Sequence, residues 1–209
     1  MANARGKEID TTYLSIEQAE TRGFIHRDYI AHCLRWSHVI KHLSQRGLYR
    51  DARILDIGCG KETPLAKTMY TSKMSPVDGY YIGVDYGPVP EQDIHTKMKN
   101  KFYFDVYHNT NAATDIQPLN DKSFTLYGTT VLTKPNVITC FEVLEHMEPE
   151  LVVKTLKNIK DVLSEDGTVF ITTPCFNGKA AANHVNEMSY TGLKTLLTDV
   201  FKFELKAEY

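Results

Sequence analysis

Short apolar runs alternate with helix-patterned segments through most of this chain, and no other feature restricts its fold as strongly. The runs cover residues 53–57, 80–84, 101–107, 136–141 and 168–172. Strands that are buried on both faces read as continuous apolar runs, and strands separated by helices pair in parallel through crossover connections. The pattern therefore predicts an α/β fold with a doubly wound, mostly parallel sheet.

A helical segment precedes the first strand. Apolar residues recur at three- and four-residue steps between about residues 15 and 46, and Gly47 would end this helix. Its other face is rich in His, Arg and Lys, which suits either a solvated surface or a surface for anionic substrates. Residues 1–50 are therefore predicted to form an N-terminal helical segment or lid, and residues 51–209 the α/β domain.

The composition disfavours several classes of protein. The chain has 209 residues and a formal net charge of −2, which gives no global reason to expect nucleic acid as a partner. Its 4 cysteines are far apart and form no C-x-x-C pair, so reduced thiols and a cytoplasmic location are expected. No apolar run approaches the ~20 residues of a membrane-spanning helix, and no membrane span is expected.

The first predicted strand ends in D-I-G-C-G, residues 56–60, and a helix is predicted from about Thr63. In open α/β sheets ligands bind beyond the carboxyl ends of the strands. Gly58 and Gly60 would let the backbone turn tightly and approach a ligand near the free N–H groups of the next helix. The dinucleotide fingerprint G-x-G-x-x-G is not met, because Thr63 stands at its third glycine. A nicotinamide cofactor is therefore disfavoured.

Four motifs, in this order, resemble those of the class I S-adenosylmethionine-dependent methyltransferases: ILDIGCG, YIGVDYG, CFEVLEH and DGTVFITTP. The resemblance covers roughly residues 53–209 and implies a Rossmann-like methyltransferase fold with S-adenosylmethionine as cofactor. The chain departs from the family pattern in two places. Glu62 replaces a frequent third glycine, and residues around 127–135 form an insertion that is expected to be a surface hairpin.

The resemblance also implies which residues bind the cofactor. Asp85 would accept hydrogen bonds from both ribose hydroxyls. An acidic residue after the third strand would bind the adenine amino group; Asp105 and Asp115 are both candidates, and Asp115 is preferred because D-I-Q-P-L resembles the family pattern. The remaining implied residues are Asp56 near the cofactor's amino group, Gly58, Cys59 and Gly60 along its methionine part, Tyr86 beside the adenine, and Phe141 and Glu142 where the fourth strand ends.

Two carboxylates and an imidazole follow the fourth strand in E-V-L-E-H, residues 142–146. Together with a later H-x-x-E, this pattern is similar to ubiquinone-biosynthesis-type O-methyltransferases and to small-RNA 3′-terminal 2′-O-methyltransferases. The second resemblance implies a divalent metal ion, Mg²⁺, Mn²⁺ or Zn²⁺, bound by Glu142, Glu145, His146 and His184. Alternatively, His146 acts as a general base without metal, or the group is structural. Glu145, His146 and His184 are the predicted catalytic residues.

Methyl transfer to oxygen is favoured over transfer to nitrogen or carbon. No N-P-P-Y-type signature for amide nitrogen follows the fourth strand, and no Cys lies in a pattern for attack on pyrimidine carbon. Transfer to an oxygen of a small molecule is the leading prediction. A nucleic-acid or nucleotide methyltransferase that uses the basic helix, and a cofactor-binding module without catalysis, are the alternatives.

The end of the chain, residues 201–209, alternates apolar and polar residues like a strand and then stops. The superfamily that the chain resembles normally adds an antiparallel seventh strand. The chain is therefore expected either to lack that strand or to close the edge of its sheet by pairing with a second copy, as a homodimer.

Overall fold

A computed structural model describes residues 27–176, 178 and 180–206. The helices are α1 (Arg27–Gln45), α2 (Pro64–Thr71), α3 (Asp93–Lys99), α4 (Pro149–Val162) and α5 (Tyr190–Thr195). The strands are β1 (Arg53–Ile57), β2 (Tyr80–Val84), β3 (Tyr103–Tyr107), β4 (Ile116–Pro118), β5 (Phe124–Leu126), β6 (Thr129–Val131), β7 (Val137–Phe141) and β8 (Thr168–Thr172). A 3₁₀ turn spans Leu144–His146, and a π-helical turn spans Leu196–Val200.

The main sheet has five parallel strands in the order β3-β2-β1-β7-β8. This order confirms the doubly wound sheet that the apolar runs predict. The chain places β2 and β3 on one side of β1, and it then crosses to place β7 and β8 on the other side. The winding of the sheet therefore reverses between β1 and β7. Ile57 lies level with Val84 on one side and with Cys140 on the other, so the carboxyl ends of the three central strands form one edge.

Alternate residues of β1 point into two separate cores. Ile54 packs with α1, α2 and α3 on one face, where Val39 and Leu43 of α1 are fully buried. Leu55 and Ile57 pack with α4 and with the segment around α5 on the other face. The predicted N-terminal helix thus lies on the sheet from Arg27 onward, while its predicted part before residue 27 lies outside the described residues.

The insertion before β7 forms the predicted hairpin. Strands β4, β5 and β6 make a small antiparallel sheet, and the β5–β6 turn places Tyr127 and Gly128 at φ +49° and +77°. Two consecutive positive φ values are typical of the tight turns that match the twist of a hairpin. The segment before β4 is tied to α4, because the Asn158 amide donates to the carbonyls of Ala112 and Ala113 at 3.1 and 3.0 Å.

The strand-like interpretation of residues 201–206 is wrong. These residues form no strand: Phe201 is buried at 8% exposure, and its N–H donates to the Leu196 carbonyl. Lys202 has φ +58°, a left-handed conformation that interrupts an extended chain. The alternating phenylalanines therefore cover the core next to the π-helical turn instead of pairing with the sheet. Residues 207–209 lie outside the described part of the chain.

Within the described residues, none of the helices combines the length and the apolar character that crossing a bilayer requires.

Candidate active site

The turn after β1 lies at the centre of the carboxyl edge. Gly58 and Gly60 have φ +73° and +69°, conformations that favour glycine. The N–H groups of Gly58 and Cys59 both donate to the Val84 carbonyl, at 2.8 and 3.1 Å, which ties the turn to the end of β2. A Cβ on Gly58 would lie only 2.2 Å from Cγ2 of Val143, so the turn is also packed against the segment after β7. The helix predicted from about Thr63 begins at Pro64.

Asp85 follows β2 and holds the same turn from the other side. Its Oδ2 accepts a hydrogen bond from Gly60 N at 2.9 Å, and its Oδ1 accepts one from Gly87 N at 2.8 Å. The neighbouring Tyr86 ring is 78% exposed beyond the sheet edge. A carboxylate and an exposed aromatic ring at this point fit the ribose and adenine roles that the sequence predicts, and these roles stay predictions.

Asp56 is enclosed within the sheet and is 4% exposed. The Tyr81 hydroxyl donates to its Oδ2 at 2.5 Å, and the Thr139 hydroxyl donates to its Oδ1 at 2.6 Å. Burial raises the pKa of this carboxyl to about 6, although the two hydroxyl groups act in the opposite direction. Asp56 thus connects β1, β2 and β7, while its predicted contact with the cofactor's amino group stays a prediction.

The two candidate adenine-binding carboxylates lie in different surroundings. Asp105 is in the middle of β3, and its Oδ1 accepts from the N–H of Val106 at 2.9 Å. Asp115 closes a turn after β3, where its oxygens accept from Asn111 N at 2.7 Å and from the Thr114 hydroxyl at 2.9 Å. The preference for Asp115 over Asp105 stays a prediction.

Glu142 directly follows β7 and has φ +55°, an uncommon conformation for a residue other than glycine. Its N–H donates to the Thr172 carbonyl at 2.9 Å, and the Thr172 hydroxyl donates to its Oε1 at 2.9 Å. The same Oε1 lies 3.1 Å from Nη2 of Arg35 on α1. Arg35 was not among the site residues predicted from the sequence, because it is far away along the chain and is one of several cations on that helix face.

Three of the four predicted metal ligands come together. Glu145, His146 and His184 each present a ligand atom within 4.8 Å of the others. Glu142 does not join them, because its carboxylate is held by Arg35 and Thr172. Glu145 is 1% exposed, and burial raises the pKa of its carboxyl, with a further contribution from the charge of Glu142.

Hydrogen bonds fix the orientation of both imidazoles. His146 Nδ1 lies 3.0 Å from the Asn183 carbonyl, which can only accept, so this nitrogen carries the proton. His184 Nδ1 lies 2.5 Å from Oε1 of Glu187, and this hydrogen bond lowers the pKa of the Glu187 carboxyl. The two rings are 4.9 Å apart, edge to face. An imidazole that carries its single proton on Nδ1 has its lone pair on Nε2.

Glu145 is tied to the loop that carries His184. Its backbone carbonyl accepts from the N–H groups of Val185 and Asn186 at 2.9 and 3.1 Å, and its Oε2 accepts from the Thr173 hydroxyl at 3.0 Å. We refer to Glu145, His146 and His184 as the carboxylate–imidazole cluster. It can hold a cation or accept a proton, and it lies just beyond β7 and β8.

A parallel sheet with a glycine turn after β1 and an acidic residue after β2 fits the class I, S-adenosylmethionine-dependent methyltransferase architecture, although dinucleotide-binding folds share these features. The chain belongs to a methyltransferase family, since the family model described as a methyltransferase domain matches residues 26–198. No match was found among curated proteins.

Several solved structures are similar to this chain. Magnesium protoporphyrin IX methyltransferase from Synechocystis PCC 6803, with bound S-adenosylhomocysteine, has a TM-score of 0.52 and 14% identity, over 89% of this chain and 77% of that one. The 1,6-didemethyltoxoflavin-N1-methyltransferase of Burkholderia thailandensis has a TM-score of 0.51 and 17% identity, over 84% and 79%. The methyltransferase domain of the bacterial protein CtHen1 has a TM-score of 0.50 and 15% identity, over 79% and 81%. At these identities the likeness shows the shared fold.

Some matching proteins are much longer than this chain. The chain spans 21% of PKMT2 from Rickettsia typhi, a match with a TM-score of 0.37 and 19% identity over 58% of this chain.

Proposed function

We propose that this protein transfers the methyl group of S-adenosylmethionine to an oxygen atom of a small-molecule acceptor, whose hydroxyl binds at the carboxylate–imidazole cluster. The observation that carries this proposal is the convergence of Glu145, His146 and His184 within 4.8 Å beside the strand ends. Methyl transfer requires a nucleophile held in line with the sulfonium and an acceptor for its proton. The cluster can accept the proton that a hydroxyl group loses when it is methylated.

The donor atoms of the cluster fit a divalent cation. Two imidazole nitrogens and one carboxylate oxygen suit Zn²⁺ or Mn²⁺ better than Mg²⁺, which prefers oxygen ligands. Both imidazoles also donate their other N–H to an oxygen, as metal-binding histidines usually do. When bound, such a cation would supply Lewis acidity that lowers the pKa of an acceptor hydroxyl.

The residues of the chain have separate roles in this proposal. Glu187 and the Asn183 carbonyl hold the two rings so that both Nε2 atoms are available. The Thr173 hydroxyl donates to Oε2 of Glu145 and so fixes its carboxylate. The other oxygen, Oε1, lies 3.9 Å from His146 Nε2. If no cation binds, the lone pair of His146 Nε2 is the group that takes the hydroxyl proton.

The surroundings of the cluster favour a small, partly apolar acceptor. Phe176 and Val185, on the loop that carries His184, are 49% and 57% exposed. Arg35, the cation that pairs with Glu142 near the site, is already engaged in that ion pair. The alternative, a nucleic-acid acceptor, predicts oligonucleotide binding that weakens steeply with salt. Binding that is insensitive to salt, with methyl transfer to small hydroxyl compounds, supports the proposal.

Metal binding is tested by thermal unfolding and chelation. Mn²⁺ or Zn²⁺ should raise the melting temperature of the wild-type protein by mass action. Glu145→Ala should abolish this shift and leave S-adenosylmethionine binding within about tenfold, or ~1.4 kcal/mol. Glu165→Ala, at an exposed position, is the matched control and should behave like wild type.

The same experiment separates the two forms of the chemistry. Loss of methyl transfer after chelation, restored by Mn²⁺ or Zn²⁺, supports the metal. Activity that survives thorough chelation, with His146→Ala alone lowering turnover by ~10²–10⁴-fold, would show that His146 is a general base. Absence of methyl transfer to every hydroxyl acceptor, despite tight cofactor binding, would contradict the proposed function and favour a binding module.

A further inference from the structure

We propose that His95 is a positioning residue for S-adenosylmethionine binding, because it holds the end of the β1–α2 turn, residues 58–63, through the Thr63 hydroxyl. Helix α3 is thus a brace for this turn. His95 lies outside the residues that the sequence predicts for the site. Its proposed role rests on the cofactor of the family and is independent of the acceptor and the metal proposed above.

The two halves of the β1–α2 turn are held by different elements. The first half is bound to the end of β2 and to Asp85. The second half is bound to α3 and to the residue before it. Gln92 Nε2 donates to the Lys61 carbonyl at 2.7 Å, and His95 Nε2 lies 3.0 Å from the Thr63 hydroxyl oxygen. Loss of the contacts from α3 would therefore free the second half and leave the first half bound.

Thr63 has a conformation that needs support from outside the turn. Its φ of +42° and ψ of +53° lie in the left-handed region, which is unfavourable for a β-branched residue. Thr63 is fully buried and directly precedes α2, but its side chain makes no capping hydrogen bond to that helix. Strained conformations persist only where the surrounding structure fixes them. The contact with His95 provides such support.

His95 is itself fixed to the core of the sheet. It is 2% exposed, and its ring packs against Phe104 of β3 with the centroids 5.1 Å apart. Phe104 in turn stacks on Tyr81 of β2 at 5.4 Å. Burial lowers the pKa of His95, so the ring is neutral at pH 7. A neutral, buried imidazole therefore links Thr63 to two strands of the main sheet.

The position of Thr63 affects the residues that would contact the cofactor. Thr63 N donates to the Gly60 carbonyl at 3.2 Å, so a shift of Thr63 also moves the glycine part of the turn. When only a fraction of the molecules has the conformation that binds a ligand, the apparent affinity falls by that fraction. A turn without its brace should therefore bind S-adenosylmethionine more weakly.

A double-mutant cycle, measured by calorimetry with S-adenosylhomocysteine, tests the brace. Thr63→Val keeps the shape of the side chain and removes its hydroxyl, and His95→Leu removes the ring nitrogens. Each substitution should weaken binding by about 3–10-fold, as expected for one hydrogen bond. Because both act on the same bond, the double variant should bind no more weakly than the weaker single variant. Thr63→Ser keeps the hydroxyl and should stay within about twofold of wild type.

Urea unfolding separates positioning from a merely structural role. Thr63→Val alone leaves the buried Nε2 of His95 without a partner, whereas the double variant replaces both partners with apolar groups and should recover stability. A positioning role predicts that cofactor affinity stays low in the double variant although its stability recovers. Affinity that returns to the wild-type value together with stability would overturn the proposal.

A third substitution tests the brace at a partly exposed position, where the fold tolerates change more readily. Gln92→Ala removes the bond to the Lys61 carbonyl and should also weaken cofactor binding, by about 2–5-fold. Thr68→Val is the matched control, because its hydroxyl bonds to the Pro64 carbonyl within α2. This variant should bind the cofactor like wild type.

Two further results would contradict the brace. One is wild-type affinity in Thr63→Val and Gln92→Ala alike; the other is a double variant whose loss equals the product of the two single losses. If wild type binds no S-adenosylhomocysteine, the family cofactor is wrong for this chain, and the brace is wrong with it. Tight cofactor binding without methyl transfer to any hydroxyl acceptor would contradict only the function proposed above.

Discussion

Asp56 shows how a single side chain can connect a sheet and also make its stability depend on pH. Its carboxyl accepts hydrogen bonds from hydroxyl groups on two neighbouring strands and is almost entirely enclosed. Burial raises its pKa to about 6, above the value of 3.8 that is usual for this group. The folded protein therefore holds this proton at pH values where the unfolded chain has released it.

Because the pKa of Asp56 is raised, its contribution to the stability of the folded protein falls as pH rises. Between about pH 4 and 6 the native state binds more protons at Asp56 than the unfolded state, so this group's contribution to the free energy of unfolding decreases as pH rises. Asp56→Asn removes the titration. From about pH 7.5 to 4.5, the stability of wild type relative to this variant should increase by about 2 kcal/mol. Urea unfolding at the two pH values measures the difference, and a gap that does not change with pH would contradict the prediction.

At the scale of elements, the β1–α2 connection is held by close packing as well as by backbone conformation. Gly58 has φ +73° and lies against Val143, whereas Gly128 in the hairpin turn has φ +77° and nothing within 4 Å of its added Cβ. Alanine at either position is strained by the positive φ, at about 1–2 kcal/mol. Only Gly58→Ala adds a steric clash, which costs about 1–3 kcal/mol more.

We therefore expect Gly58→Ala to lower the free energy of unfolding more than Gly128→Ala, and to weaken S-adenosylmethionine binding, which Gly128→Ala should not affect. Adding Val143→Ala to Gly58→Ala should recover part of the lost stability, because it removes the clashing methyl group. Urea unfolding and calorimetry check both effects. Equal destabilisation by the two single substitutions would show that the loop relaxes away from Val143.

At the scale of the whole molecule, the outer edge of β8 has no partner strand in the part of the chain that the structure describes. Thr168 N and the Thr172 carbonyl bond to residues flanking β7, so the intervening Val169 and Ile171 present backbone groups outward. An exposed edge of this kind is a template for pairing. We expect two copies of this chain to pair along β8 as a homodimer.

Light scattering over a wide concentration range measures this association. Val169→Pro removes the outward-facing N–H of β8, because proline has no backbone donor. This substitution should shift the protein toward monomer. A wild-type protein that remains monomeric at the highest concentration would contradict edge pairing.

Much of the fold was determined by the sequence alone. Buried parallel strands appear as apolar runs because both of their faces are covered, so all five main strands could be placed before the structure was known. The glycine turn could be placed because few other residues adopt its backbone conformation. Glu145 and His146 could be paired because they are adjacent in the chain beyond a strand end.

Only the tertiary structure decided which distant groups meet. The Arg35–Glu142 ion pair, the hydroxyl groups around Asp56 and the contact of His184 with the cluster all join residues far apart in sequence. Residues 201–206 show the same limit, since their alternation fits a strand, yet they form none, and Phe201 is buried beside the π-helical turn. Periodicity records which face of an element is apolar. It does not indicate which other element covers that face, because this depends on the packing of the whole chain.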